Sequence, residues 1–164
     1  AGSMLRTLYA ENDLVIAECL KSNTWGSLTP PALAAVVSSL LYSARKDDGE
    51  RQPRIPGGPS GVLGQALRQT QRIWAAIDDL HKEHELPPLP PPHWGLVQAI
   101  HGWTQGKGLD TVLSGSEIAP GDMVRWCKQV IDALDQIASV APSTTLQERA
   151  IAAITAMRRG VVAY

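Results

Sequence analysis

Met123, Cys127, Val130, Leu134, Ile137 and Ala141 follow one another at alternating steps of four and three residues. Side chains so spaced share a face only if the chain is an α-helix, in which each residue advances about 100° around the axis. In a strand the same residues would scatter over both faces. Asp122 to Val140 is therefore read as a long helix with one narrow apolar stripe, flanked by Trp126 and Ile131. Almost every other apolar segment has helical spacing too, and no convincing period-two stretch occurs. An all-α fold follows.

The remaining segments supply the other helices. Leu14, Ala17, Cys19 and Leu20 mark one from about Glu11 to Lys21, and Asn23 to Leu28 reads as a turn. Thr29 and Pro30 form a strong start signal, a capping hydroxyl followed by proline at the first helical position. The helix they open carries Leu33, Val36, Val37, Leu40 and Leu41 on a broad apolar face, so deep burial is expected. Lys46 to Gly61, rich in glycine, proline and charge, is expected to be an exposed, mobile loop. A long helix from Val62 to Glu85 should turn Leu63, Ala66, Leu67, Ile73, Trp74, Ile77 and Leu80 inward. Leu86 to His93, "LPPLPPPH", stops it and is expected to be an extended polyproline-type spacer. A short helix with Leu96, Val97, Ile100 and Trp103 inward follows, then a turn or two at Leu109 to Leu113. After Asp122 to Val140, a last helix capped by Thr144 or Thr145 is expected to run on toward Tyr164. Six or seven helices with short to medium connections imply a bundle. Ala1-Gly2-Ser3 before Met4 reads as an expression scar, and residues 4–164 as one helical domain.

Composition excludes several classes. The chain has 164 residues, 44% of them hydrophobic, and a net charge of only -1, so a core is available and a strongly basic nucleic-acid coat is not. No apolar run approaches the ~20 residues of a membrane span, and a cytoplasmic location is expected. Cys19 and Cys127 lie inside apolar helical patterns and read as small buried hydrophobes. "TQGKGLD" lacks the leading glycine and the following Ser or Thr of a phosphate-cradling loop, and no DExH-type acidic motif occurs. His81 and His84 stand at i, i+3 but lack a third metal ligand of obvious origin, so they read as a wet face, while His93 and His101 are isolated. No catalytic residue, metal site or cofactor site is assigned to this chain.

The polar face of the 122–140 helix is the unusual feature. Arg125 and Lys128 lie near its start, and Asp132 and Asp135 further along, the reverse of what a helix macrodipole prefers. A Lys128–Asp132 pair would return ~0.2–0.5 kcal/mol. A cation in the first turn would cost ~0.3–1 kcal/mol. Local stability is thus close to balanced and does not explain the arrangement. Arg125, Gln129, Asp132 and Gln136 cluster opposite the apolar stripe, with Lys128 and Asp135 at the edge. Such a face is either simply wet, or a rail of donors suited to phosphates and base edges.

Three segments together resemble a known family: Leu8 to Arg45, "GDMVRWCKQVIDALDQIA" from Gly121 to Ala138, and "MRRGVVAY" from Met157 to Tyr164. In this order they look like the DSHCT domain, the C-terminal helical domain of superkiller/exosome-type DExH RNA helicases, and most like its actinobacterial HelY-type branch. The resemblance implies a bundle that follows two motor domains and a winged-helix domain in one polypeptide. It implies a long central helix, often called the ratchet helix, facing single-stranded RNA as it leaves the motor. Mapped by motif, that helix is Asp122 to Val140, with Arg125, Lys128, Gln129 and Asp132 toward the strand. Gln129 stands where eukaryotic relatives tend to carry Arg, and the acid common after the aromatic of the second helix is replaced by Ser43 and Ala44. Arg158 and Arg159 are further candidates for nucleic-acid contact, or simple matches to a helix C-terminus. ATP and Mg would then be bound in motor domains outside this chain, which would have no activity by itself and would be monomeric.

Two rivals accompany this reading. The bundle could brace the motor domains with little RNA contact, which suits its low net charge. Alternatively "LDTVLSGSEIAPGDMVRWCKQ" could be a helix-turn-helix that reads duplex DNA, although its turn is longer than usual. The 46–61 loop and the proline spacer, with its PxxP pattern, could also dock a protein partner.

Overall fold

The computed structural model describes residues 12–42 and 53–163, which contain seven α-helices and no strand. They are α1 (Asp13–Lys21), α2 (Pro30–Leu41), α3 (Val62–Glu83), α4 (Val97–Thr104), α5 (Leu109–Leu113), α6 (Pro120–Val140) and α7 (Thr144–Met157). A single 3-10 turn, Gly160–Val162, follows.

Helix α2 runs through the middle. Every residue from Ala32 to Leu41 is buried, so it is enclosed on all sides, as a helix apolar all round must be. Helices α3, α4, α6 and α7 all pack on it. Its start is built as the sequence indicates: Thr29 accepts from the Ala32 N–H at 3.4 Å, and Pro30 holds the first position. Such a cap is worth roughly 1 kcal/mol. The two serines inside it are satisfied locally, Ser38 donating to the Ala35 carbonyl and Ser39 to that of Val36, both at 2.6 Å.

Helix α1 packs on α3, and the turn after α1 locks that pair. Trp25 is fully buried there and donates its indole N–H to Thr70 Oγ1 at 3.0 Å. Thr70 in turn donates to the Ala66 carbonyl, at 2.7 Å. Arg149 of α7 donates to the Gly26 carbonyl, tying the same turn to the other side of the bundle.

Several boundaries differ from those expected. Residues 46–52 of the expected 46–61 loop lie outside the described residues. Its remainder, 53–61, forms two hydrogen-bonded turns at the start of α3, where a Cβ on Gly64 would meet the Pro59 carbonyl oxygen at 2.4 Å. Helix α3 ends at Glu83 because Glu85 adopts a left-handed φ of 55° and sends the Leu86 N–H back to the His81 carbonyl. The cap of α7 is Ser143 rather than a threonine, its Oγ accepting from the Leu146 N–H at 3.2 Å. That helix stops at Met157, and Gly160 at φ 51° turns the chain into the 3-10 segment.

The proline spacer is a strap tied to its neighbours. Leu89 is buried, and its N–H donates to Asp78 Oδ1 at 2.9 Å while its carbonyl accepts from Trp74 Nε1 at 3.1 Å. At the far end the His93 N–H donates to the Ser39 carbonyl near the end of α2, at 2.8 Å. No helix among the described residues is long and apolar enough to cross a membrane.

Candidate nucleic-acid interface

Helix α6 begins at Pro120, two residues before the expected Asp122. Proline suits the first helical position, since its missing N–H would be unpaired there in any case. The earlier start changes the electrostatics. Asp122 now occupies the first turn, where the dipole favours an acid, and Arg125 lies beyond it. Arg125 also pairs with Asp122, Nη2 to Oδ1 at 3.3 Å. Among the described residues, Lys128 and Asp132 make no ion pair. The charge order that looked unfavourable thus carries little local penalty.

The inner stripe is as the spacing requires. Met123, Cys127, Val130, Leu134 and Ile137 are wholly buried, and Ile131 beside them nearly so. Each large side chain buried in this way contributes about 1.5–3 kcal/mol, which holds α6 rigidly against α2 and α7. Burial pushes the Cys127 thiol up to about 12, so this sulfur is a packing group and not a nucleophile.

The outer face brings together four of the expected residues. Arg125, Lys128 and Asp132 are exposed, the Arg125 side chain 57% so. Gln129 is half-buried and has a partner of its own. Two cations, one amide and two acids counting Asp122 make a face that can donate to phosphate oxygens and base edges while keeping almost no net charge.

The two C-terminal arginines part company. Arg158 is exposed at the end of α7. The Arg159 guanidinium turns inward: it lies 3.7 Å from the Trp103 ring centroid and donates to the carbonyls of Trp103 at 2.7 Å and Lys107 at 2.6 Å. Its charge reaches Cys127, on the buried side of α6. Its Nη2 is thereby committed to holding the C-terminal turn on α4, while the buried Nε has no partner among the described residues.

An aromatic group beside Arg125 escaped the sequence reading. The Tyr42 ring lies 5.1 Å from that of His93 and 5.4 Å from that of Trp126, and Arg125 leans over Trp126 at 5.2 Å. The sole local signal was an aromatic next to an arginine; His93 comes from the strap and gave none. Elsewhere, His81 Nδ1 meets the Pro87 carbonyl at 3.2 Å, and the described residues contain no cluster of three or more potential metal ligands. Helix α5 packs against α4, which is where the first helix of the imagined helix-turn-helix goes.

Residues 1–164 match the family model of the DSHCT (NUC185) domain. "Probable helicase HelY" of Mycobacterium leprae (strain TN) is 40% identical over 169 residues, covering 99% of this chain and 18% of that protein. The protein of the same name from Mycobacterium tuberculosis (strain ATCC 25618 / H37Rv) is also 40% identical over 169 residues, covering 99% of this chain and 19% of its own length. More distant is "ATP-dependent RNA helicase mtr4" of Schizosaccharomyces pombe, 20% identical over 166 residues, or 98% of this chain and 15% of that protein. The chain thus spans less than a fifth of the length of these relatives. The resemblance carried by three short segments extends over the whole sequence, and the chain belongs to the DSHCT domain family.

Proposed function

We propose that this chain is the C-terminal helical domain of an ATP-dependent RNA helicase, and that the outer face of α6 guides single-stranded RNA leaving the motor domains. The observation that carries this reading is the pair of exposed cations, Arg125 and Lys128, on a helix fixed by its buried stripe. A rigid rail holds its donors at constant spacing, so a strand passing over it meets them without a reordering cost. Gln129 and Asp132 lie on the same face, and the acids keep the field weak. A light grip suits a strand that must advance, since tight phosphate clamping would resist every step. Arg158 could extend the path; Arg159, held by two carbonyls and Trp103, serves the fold.

In this reading ATP and Mg belong to motor domains outside the chain, and the domain itself carries out no reaction. Motor and winged-helix domains of the same polypeptide are its protein partners, it works as a monomer, and its location is the cytoplasm. The test is the Arg125→Ala, Gln129→Ala double variant of the intact helicase. Guidance by α6 predicts reduced RNA unwinding with the fold and basal ATPase retained. Unwinding at the wild-type rate would instead favour a bracing role, the reading that the balanced charge of the α6 face supports.

A further inference from the structure

We propose that Tyr42, His93 and Trp126, with Arg125 leaning over them, form a stacking platform for an unpaired base of single-stranded RNA. The proposal rests on the reading of α6 given above and adds a base-binding element to its backbone contacts. Three separate segments supply the rings: the end of α2, the end of the proline strap and the second turn of α6. All three residues are half-buried. The rings meet at interplanar angles of 49° and 65°, so none stacks face to face on another.

Three of the five indoles are closed off by an acceptor. Trp25, Trp74 and Trp103 each donate their N–H, to Thr70 Oγ1, the Leu89 carbonyl and the Met157 carbonyl respectively. Among the described residues the indole N–H of Trp126, like that of Trp94, makes no hydrogen bond, and both residues are half-buried. Trp126 is thus a half-buried ring at the edge of the core, with its N–H uncommitted.

The platform is also held in position. The His93 N–H is fixed on the Ser39 carbonyl, and its Nδ1 accepts from the Gly95 N–H at 3.0 Å, which leaves Nε2 to carry the ring proton. A Cβ on Gly95 would lie 2.9 Å from His93 Cε1 and 3.0 Å from Tyr42 Cε1, so only glycine lets the chain pass this close to both rings. Arg125, 5.2 Å from the Trp126 centroid, adds a planar cation to the aromatic surface. Aromatic faces beside cations are the combination that holds single strands without sequence preference, since every base has a π-face. A partner protein seated by the hydrophobic effect would call for exposed aliphatic side chains, and the large exposed ones here, such as Leu14, Leu80 and Ile151, lie on other segments.

The test compares two fluorescein-labelled strands of equal length, an oligouridine and the same ribose-phosphate chain made abasic, titrated with this chain at low salt and followed by anisotropy. Stacking predicts that the intact strand binds about five- to a hundredfold tighter, the range one stacked base is worth. Tyr42→Leu or Trp126→Leu should close that gap, with folding checked by circular dichroism; His93→Ala should narrow it. Lys128→Ala should weaken both strands alike. Equal affinities for the two strands, or a gap that survives all three ring variants, overturns the platform and leaves backbone contact by α6 standing. If neither strand binds, the platform and the strand-facing reading fall together.

Discussion

Arg159 sits over the Trp103 ring, its guanidinium carbon 3.7 Å from the centroid, and donates to the carbonyl of the same residue at 2.7 Å. Trp103 answers by donating its indole N–H to the Met157 carbonyl at 2.9 Å. The end of α7 and the end of α4 are thus fastened by contacts running in both directions. Arg159→Ala removes the stacked cation and two charge-assisted bonds, and should cost about 2–3 kcal/mol in urea unfolding. Arg159→Lys keeps the charge but loses the planar fork, and should fall between the two.

Thr70→Val tests the second fastening. The substitution nearly preserves shape but leaves the buried Trp25 N–H without its acceptor. Denaturant titration should show a loss of about 1–3 kcal/mol, the penalty of an unpaired buried donor. A serine at the same place should recover most of it.

Acid should loosen the proline strap. The Leu89 N–H holds the Asp78 carboxyl below its ordinary value of 3.8, with help from Lys82. A depressed carboxylate contributes stability that is present above 3.8 and is lost as pH falls through the folded value. The protection factor of the Leu89 amide, its exchange rate taken relative to the intrinsic rate at each pH, should therefore fall in that window, and Asp78→Asn should remove this acid dependence.

His101 gives a second, higher window. Burial, the largest cause, holds its imidazole below 6.5; Lys107 adds to the effect and Gln105 opposes it. Below 6.5 the unfolded chain takes up the proton first, so the folded state loses stability as pH drops toward the folded value. Thermal melts between neutral and mildly acidic pH should show this slope, and His101→Gln should flatten it.

Both thiols should be silent in the native protein. Burial raises Cys19 and Cys127 to about 12, leaving almost no thiolate at neutral pH. A disulfide reagent such as Ellman's should react slowly in buffer and rapidly with both in urea.

What could be read in advance follows a physical divide. The stripe from Met123 to Ile137 was readable because burial imposes helical spacing on a contiguous segment, and the enclosure of α2 followed from apolar residues on every side. The start at Thr29 was readable because its cap and proline are adjacent. Helix ends set by weaker competition were not: Ser143 displaced Thr144 and Thr145 as cap, and α6 reached back to Pro120. The inward turn of Arg159 depends on Trp103, and the ring of His93 on Tyr42, partners that only the tertiary fold brings near. Local spacing cannot reveal such pairs. With α6 starting at Pro120, Arg125 lies beyond the first turn and the dipole anomaly disappears.

Between its two anchors the strap contains only Pro90, Pro91 and Pro92. Three consecutive prolines have one accessible backbone habit, extending about 3.1 Å per residue with little slack. They act as a ruler cut to length: Leu89 fixes one end on α3 and the His93 N–H fixes the other on α2. Deleting or inserting a single proline here would leave one anchor unable to reach its seat. A stretch that reads as a mere spacer is therefore among the segments least tolerant of a change in length.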